Sequence, residues 1–422
     1  MPCIIAVCVF LVHKHAGVPV AVERTGFVSQ RPKAHRGFKS LLQLQVSETS
    51  MSVQNEAGRI EEALSKAIQY LGRNQREDGM YAYAMNAKTG QPVPAQYGHA
   101  RHIGTLYSLA RSIKATGLGS DVFNRGLSFV KATMLAEVEF PSGAKHIVVR
   151  QDGSSKVSLN ATALLACAVG EKLLGDAEDG DLELFKHLLR AIGAMQRSDG
   201  MFFKIYDPDL QMFEQPFDVC ASGEACLALT YGVSILGKQP WLSMCQAGIS
   251  NLISVRPLYS ARPYVESFWW SWVALTLCRL YPFTMEPIPE GEKPFTIQHQ
   301  FYLHMLSVCE QAMVANKEVP FHDQMNMSIA SSNLTTIWNM YKLLTITERE
   351  ENEWMVRSCF LPRKLWRWGL VGLLLVCDSQ VTSGTLDGGI PFVFEGSQTI
   401  RVDTISHFID ACLAALDCLK RT

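Results

Sequence analysis

From Glu56 onward, apolar residues recur at helical spacing along nearly the whole chain. The spacing predicts helices over 56–74, 99–116, 121–136, 158–175, 182–196, 220–236, 240–254, 266–281, 297–315, 327–346, 354–376 and 403–419. Strand-like alternation is confined to short pieces such as His146–Arg150. The connections alternate in length. After even-numbered helices they are mostly short, as at 117–120, 175–180 and 237–239. After odd-numbered helices they are mostly long, as at 75–98, 137–157, 197–219 and 377–402, and the Pro-rich 282–296 breaks the rule. In antiparallel hairpins, loops of the same parity lie at the same end. The long loops should therefore gather on one face and lead into the starts of the even helices. The expectation is an all-α chain of about twelve helices in six hairpins, with function on that face.

An internal repeat supports the array. Gln75–Tyr81 (QREDGMY) matches Gln196–Phe202 (QRSDGMF), and Asn86 and Asp207 follow at the same offset. A weaker copy runs Leu386–Phe392. In each full copy a Gln ends a helix, a Gly supplies the left-handed stop, and an Asp is placed to accept backbone N–H bonds. Repeated units of this kind point to a closed or stacked helical array.

The residues opening the even helices are the candidate chemistry. They are Tyr97, His99, Arg101 and His102; Asn160 and Thr162; Asp218, Ser222 and Glu224; Tyr264, Glu266, Trp269 and Trp270; Asn326, Ser331, Ser332 and Asn333; and Arg401, Asp403 and His407. Such starts carry positive helix-dipole ends. Small apolar residues follow Glu224, and a dry site would raise its pKa and suit it to donate a proton. Asp403 and His407 share a helical face at i, i+4, where the carboxylate can orient the imidazole. Asp403, Ser222 and Asn160 are equally good helix caps. At least one of the tryptophans Trp269, Trp270 and Trp272 should face the opening, with Tyr81, Tyr83, Phe202 and Phe203 at its rim.

Composition narrows the class. Hydrophobic residues make up 48% of the 422 and charged residues 19%, with net charge -1, so a large core is available and a nucleic-acid footprint is not. The twelve cysteines include no CxxC or Cys/His metal spacing; they read as small core residues of a reducing compartment. No phosphate loop, Rossmann fingerprint, HExxH or GxSxG occurs, so neither cofactor nor metal is expected. Residues 1–50 read as a leader, an apolar run at Ile4–Val12 followed by a basic, acid-poor stretch, and 51–422 as the folded domain. The leader would address the chain to a plastid or the secretory pathway; the alternative is an untargeted tail in a cytoplasmic protein. Leu365–Cys377, thirteen residues, is too short to span a bilayer and reads as a buried helix, so no membrane span is expected in the folded domain.

At these residues the chain resembles the (α/α)6 toroid enzymes. The QxxDGxF/Y turns also occur in terpene cyclases and prenyltransferase β-subunits. Arg101–Gly104, Ser222–Leu229, Phe268–Leu275 and Asp403–Ile409 look more like the sugar-handling toroids, namely N-acylglucosamine 2-epimerase-like proteins and six-hairpin glycosidases. The chain departs from the epimerase pattern in having no acid just after Trp269–Trp270, and it has no Asp-rich motif of protonating terpene cyclases. The resemblance implies a carbohydrate-active enzyme working on a small sugar, uronic-acid-type or oligosaccharide substrate. As an epimerase or isomerase, His102 and His407 would exchange a proton beside a carbonyl while Arg101 steadies the oxyanion. As a hydrolase, Glu224 would protonate the leaving oxygen while Asp403 activates water. Tyr97, His99, Tyr81, Phe203, Trp269 and Trp270 would contact substrate. The alternatives are an isoprenoid-handling toroid and a non-catalytic binding protein.

Overall fold

The computed structural model describes residues 49–94, 97–175, 179–214, 218–255, 270–284, 326–348, 360–392 and 399–420. Among them are eleven helices: α1 Thr49–Arg73, α2 His99–Thr116, α3 Ser120–Thr133, α4 Leu159–Leu173, α5 Asp179–Ala194, α6 Val219–Leu236, α7 Trp241–Val255, α8 Trp270–Thr284, α9 Met327–Glu348, α10 Phe360–Asp378 and α11 Val402–Leu419. The expected helix at 297–315 and the leader through residue 48 lie outside the described residues. The first helix starts at Thr49, seven residues before the expected start at 56.

The order of packing is a closed ring. Helix α2 packs on α4, α4 on α6, α6 on α8, α8 on α9, α9 on α11, and α11 back on α2. The even helices of the sequence pattern are therefore the inner ones. Their composition says why. Buried residues cover nearly all sides of α4 and α6, as a helix enclosed by neighbours requires. In α3 the buried set is one stripe, Phe123, Gly126, Leu127 and Val130, which suits an outer helix. Val219–Leu236 is long and apolar enough to cross a membrane, but 72% of it is buried and it is an inner member of the ring. The Leu365–Cys377 run is corrected from a buried helix to an outer one: Leu365, Leu373 and Val376 are buried, while Val371 and Leu375 are exposed.

The long loops carry small sheets that period-2 reading caught only in part. Strand β2 (Leu135–Glu139) pairs with β3 (Lys145–Val149) as a hairpin. Strand β1 (Ala84–Asn86), entering α2, pairs with β7 (Thr399–Arg401), entering α11, in the register Ala84↔Arg401. Strands β4 (Val157–Ser158), β5 (Ile205–Asp207) and β6 (Met212–Glu214) join the entries of α4 and α6. Neighbouring ring helices thus begin side by side at one end.

The repeated Gln and Gly are clamps between outer helices. Gln75 Nε2 donates to Gly79 O and to Val122 O on α3, at 3.0 and 2.9 Å. Gln196 Nε2 does the same to Gly200 O and Met244 O on α7, at 3.1 and 2.8 Å. Gln380 Nε2 donates to Gly388 O and Ala63 O on α1, at 3.1 and 3.0 Å. The glycines have φ +91°, +87° and +83°, and a Cβ would lie 2.3, 2.5 and 2.1 Å from Arg125 O, Ala247 O and Lys66 O. Each struck carbonyl is three residues after the one its Gln holds. The third clamp, the weakest in sequence, is geometrically equivalent and joins the last outer helix to the first. Asp78 and Asp199 accept the amides of Met80 and Met201, each at 3.0 Å, as their turn role requires. The eight described cysteines are all free thiols, six of them buried.

Candidate active site at the mouth of the ring

Two side-chain clusters stand where the ring helices begin. The first spans α11 and α2. Asp403, in the first turn of α11, accepts from Arg401 Nε at 3.0 Å, from Tyr83 Oη at 3.0 Å and from the backbone N–H of Thr404 at 3.0 Å. A second Arg401 nitrogen bridges Asp403 and also donates to Tyr83 Oη at 2.7 Å. The Arg101 guanidinium lies 3.7 Å from Asp403 and 5.1 Å over the Tyr83 ring, and Arg401 sits 4.2 Å over Phe392. Burial, then the charge of Asp403, pushes the Tyr83 hydroxyl up to about 12, so it stays protonated and donating. His407 lies one turn below Asp403 in α11, and its imidazole forms no hydrogen bond to the described residues. Burial lowers its pKa, and the charges of Asp403 and Asp410 oppose that.

The second cluster spans α4 and α6. Glu224, in the first turns of α6, is 4% exposed and accepts a bond from Asn160 Nδ2 at the start of α4. Burial first, then the charge of Asp218, holds the Glu224 carboxyl well above the usual carboxylate range. Asp218 caps α6, accepting from Cys220 N at 2.9 Å and Ala221 N at 3.1 Å, and binds Lys204 Nζ at 2.6 Å. Burial alone would raise Asp218, but Lys204 and the two amides outweigh it and hold the carboxylate below its usual range. Burial thus pushes one carboxyl toward its protonated form while Lys204 and two amides hold its neighbour toward the ionised form, which is how a site sets aside a proton donor.

Other expected residues stand elsewhere. His102 is corrected from the mouth to the layer between α2 and α3. Its Nε2 donates to Gly126 O at 3.2 Å, so its Nδ1 accepts from Tyr97 Oη. Its ring lies 4.8 Å from Tyr81 and 5.3 Å from Phe129. This is a neutral, satisfied core histidine, lowered by burial to about 4. Tyr81, 1% exposed, and Tyr97 belong to the same packing. Protonating His102 works against folding. The unfolded side chain titrates near 6.5, so stability is full above that pH and is lost as pH falls from there to about 4, up to about 3 kcal/mol in all. Thermal unfolding followed from pH 7 to pH 4 should show this loss, and His102→Phe should flatten it.

Phe203 stacks on Phe213 at 4.6 Å and carries the Arg197 guanidinium at 5.7 Å, so its faces are engaged within the protein. His99 stays at the rim: its Nδ1 donates to Arg150 O at 2.9 Å and its backbone N–H to Asp152 at 2.9 Å. Trp270 opens α8, and Tyr264, Glu266 and Trp269 lie outside the described residues. No group of three His, Cys, Asp or Glu suited to a metal occurs among the described residues.

Sequence reasoning missed a charged network deeper in the ring. Arg111 of α2 binds Asp410 of α11 at 2.6 Å, and Ser108 donates to Asp410 at 2.9 Å. Tyr231 of α6 donates to Glu171 of α4 at 2.5 Å and lies 3.3 Å from the Tyr107 hydroxyl. Arg279 of α8 stacks 3.6 Å over Tyr231 and donates to Thr230 at 3.0 Å. The available signal was a lone charge inside an apolar run, which can be buried only with a partner.

No family model and no curated protein matches the chain. Solved structures do. Cellobiose 2-epimerase from Spirochaeta thermophila superposes with TM-score 0.64 at 10% identity, covering 89% of this chain and 99% of that one. A D-mannose isomerase gives 0.55 at 9% identity, covering 88% and 99%. An unsaturated glucuronyl hydrolase specific for heparin gives 0.55 at 9% identity, covering 86% and 98%. With the closed ring of inner helices, this likeness establishes the fold: the chain is an (α/α)6 toroid.

Proposed function

We propose that the chain is a carbohydrate-active enzyme that moves protons on a sugar or uronic-acid-type substrate at the mouth of the ring. The carrying observation is Glu224, a buried carboxyl whose pKa burial pushes up, placed where the ring helices begin. The structural neighbours, an epimerase, an isomerase and a glucuronyl hydrolase, support the substrate class.

Between the two chemistries considered for this class, the site favours epimerisation or isomerisation. Asp403 accepts bonds from Arg401, Tyr83 and the Thr404 amide, and oxygens so engaged have little room to hold and deprotonate a water. His407, beside it, has its ring nitrogens unengaged by the described residues and is the better proton acceptor. In this reading His407 takes the proton from the carbon next to a carbonyl. Glu224 supplies a proton from α6, which α2 and α4 separate from α11 in the ring. Arg101 stands beside the oxygen where negative charge develops.

The test has two parts. A thermal-shift screen against neutral sugars and uronic acids should find a ligand, and Arg101→Ala should abolish its shift. NMR in D2O should then show deuterium entering the carbon beside the carbonyl. No sugar shift and no exchange would remove the proposal; release of reducing ends from glycosides without exchange would move it to hydrolysis.

A further inference from the structure

Asp403, His407 and Asp410 lie at i, i+4 and i+7 on α11, and so form one stripe. Helix α2 meets that stripe with cations at both ends. Arg101 lies 3.7 Å from Asp403 at the mouth, and Arg111 lies 2.6 Å from Asp410 below, where Ser108 adds a bond at 2.9 Å. His407 sits between these two rungs. We infer that Asp410, tied to α2 through Arg111 and Ser108, is a positioning residue for the acid–base work of His407, acting by its charge from one turn below. The inference rests on the proposed role of His407, but it concerns a property of the protein that is measurable without substrate.

Among the described residues, the charged groups that act on His407 are few. On its own helix they are Asp403 and Asp410, and on strand β7 Arg401, which Tyr83 also engages. From α2, Arg101 is held by Asp403 and Arg111 by Asp410. Helix α9, packed on the other side of α11, carries Lys342, which is engaged by Asp417 at 2.6 Å, four turns along from the mouth. From α10, Asp378 is engaged by Arg59 at 2.7 Å. Burial raises Asp410, and Arg111, His407 and Ser108 oppose that, so the two α11 groups favour each other's charged forms. Without Asp410, His407 would lose one of the two charges that favour its protonated form, while burial and Arg401 still oppose that form, so it would be harder to protonate.

The experiment is NMR titration of the histidine-labelled full chain. In Asp410→Asn the His407 midpoint should fall by about half a pH unit or more; Asp410→Glu should restore it. If Asp410→Asn fails to fold, the aspartate-labelled wild-type chain serves instead. There the Asp410 carboxyl resonance should show an inflection at the His407 midpoint. A His407 midpoint unchanged in Asp410→Asn, or no inflection in wild type, would overturn the inference. A chain that shows the shift and yet exchanges no sugar proton would instead overturn the enzymatic reading and leave this one standing.

Discussion

Glu224→Gln should cost about 10²–10⁴-fold in turnover while making the protein more stable. The amide can keep the contact with Asn160, but it cannot donate a proton as an acid. Stability moves the other way because of the sign of the linkage. Burial raises the Glu224 carboxyl above its unfolded value of 4.5, so the folded chain binds more protons there than the unfolded one. Folding is favoured by this group at low pH, and the benefit is lost as pH rises from 4.5 through the raised folded value. At neutral pH the wild-type carboxyl therefore opposes folding, and the neutral amide does not. The variant should unfold at a higher temperature at pH 7 and should lose that advantage at pH 4. Calorimetry at the two pH values, beside a rate assay, checks both halves. A slower enzyme that is also less stable would mean that Glu224 is a structural carboxylate.

Gly388→Ala should destabilise the fold by roughly 2–5 kcal/mol, far more than a surface methyl ordinarily does. The residue has φ +83°, where a side chain is strained, and its new Cβ would lie 2.1 Å from Lys66 O. That oxygen is α1 backbone, so relief requires moving a helix and loosening the Gln380 clamp. Gly90→Ala is the control, since it shares a positive φ of +68° but meets nothing closer than a Thr385 side-chain oxygen at 3.5 Å. Urea midpoints of the two variants should separate strain from collision. Equal losses would show that the close approach contributes nothing.

Much of the architecture was legible in the sequence because it rests on periodicity. Inner helices such as α4 and α6 are apolar on nearly every side, outer helices such as α3 on one stripe, and loop parity says which is which. The clamps were legible because Gln75 and Gln196 recur with the same turn around them. Asn86 and Asp207 share a role as well: each accepts the amides two and three residues ahead, at distances from 2.9 to 3.2 Å. Orientation about a helix axis was less legible. Arg101 and His102 are adjacent, so about 100° apart on α2, and one reaches Asp403 while the other enters the α3 interface. Nothing local distinguishes them; Gly126 and Phe129, which receive His102, are more than twenty residues away. The deeper network was invisible for a similar reason. Arg111 and Asp410 are 299 residues apart, and each alone looks like a stray charge in an apolar helix.

The clamps also bear on connectivity. Two of them join outer helices that follow closely in the chain, and the third makes the same joint, with the same three-residue offset, across more than three hundred residues. Contacts that repeat with a fixed offset around a closed circuit do not depend on which joint the covalent backbone happens to skip. A circular permutant that opens the chain at the exposed Ser142–Gly143 turn and splices a flexible linker between residues 420 and 52 should therefore rebuild the same ring, leaving the entries of α2 and α11 paired as before.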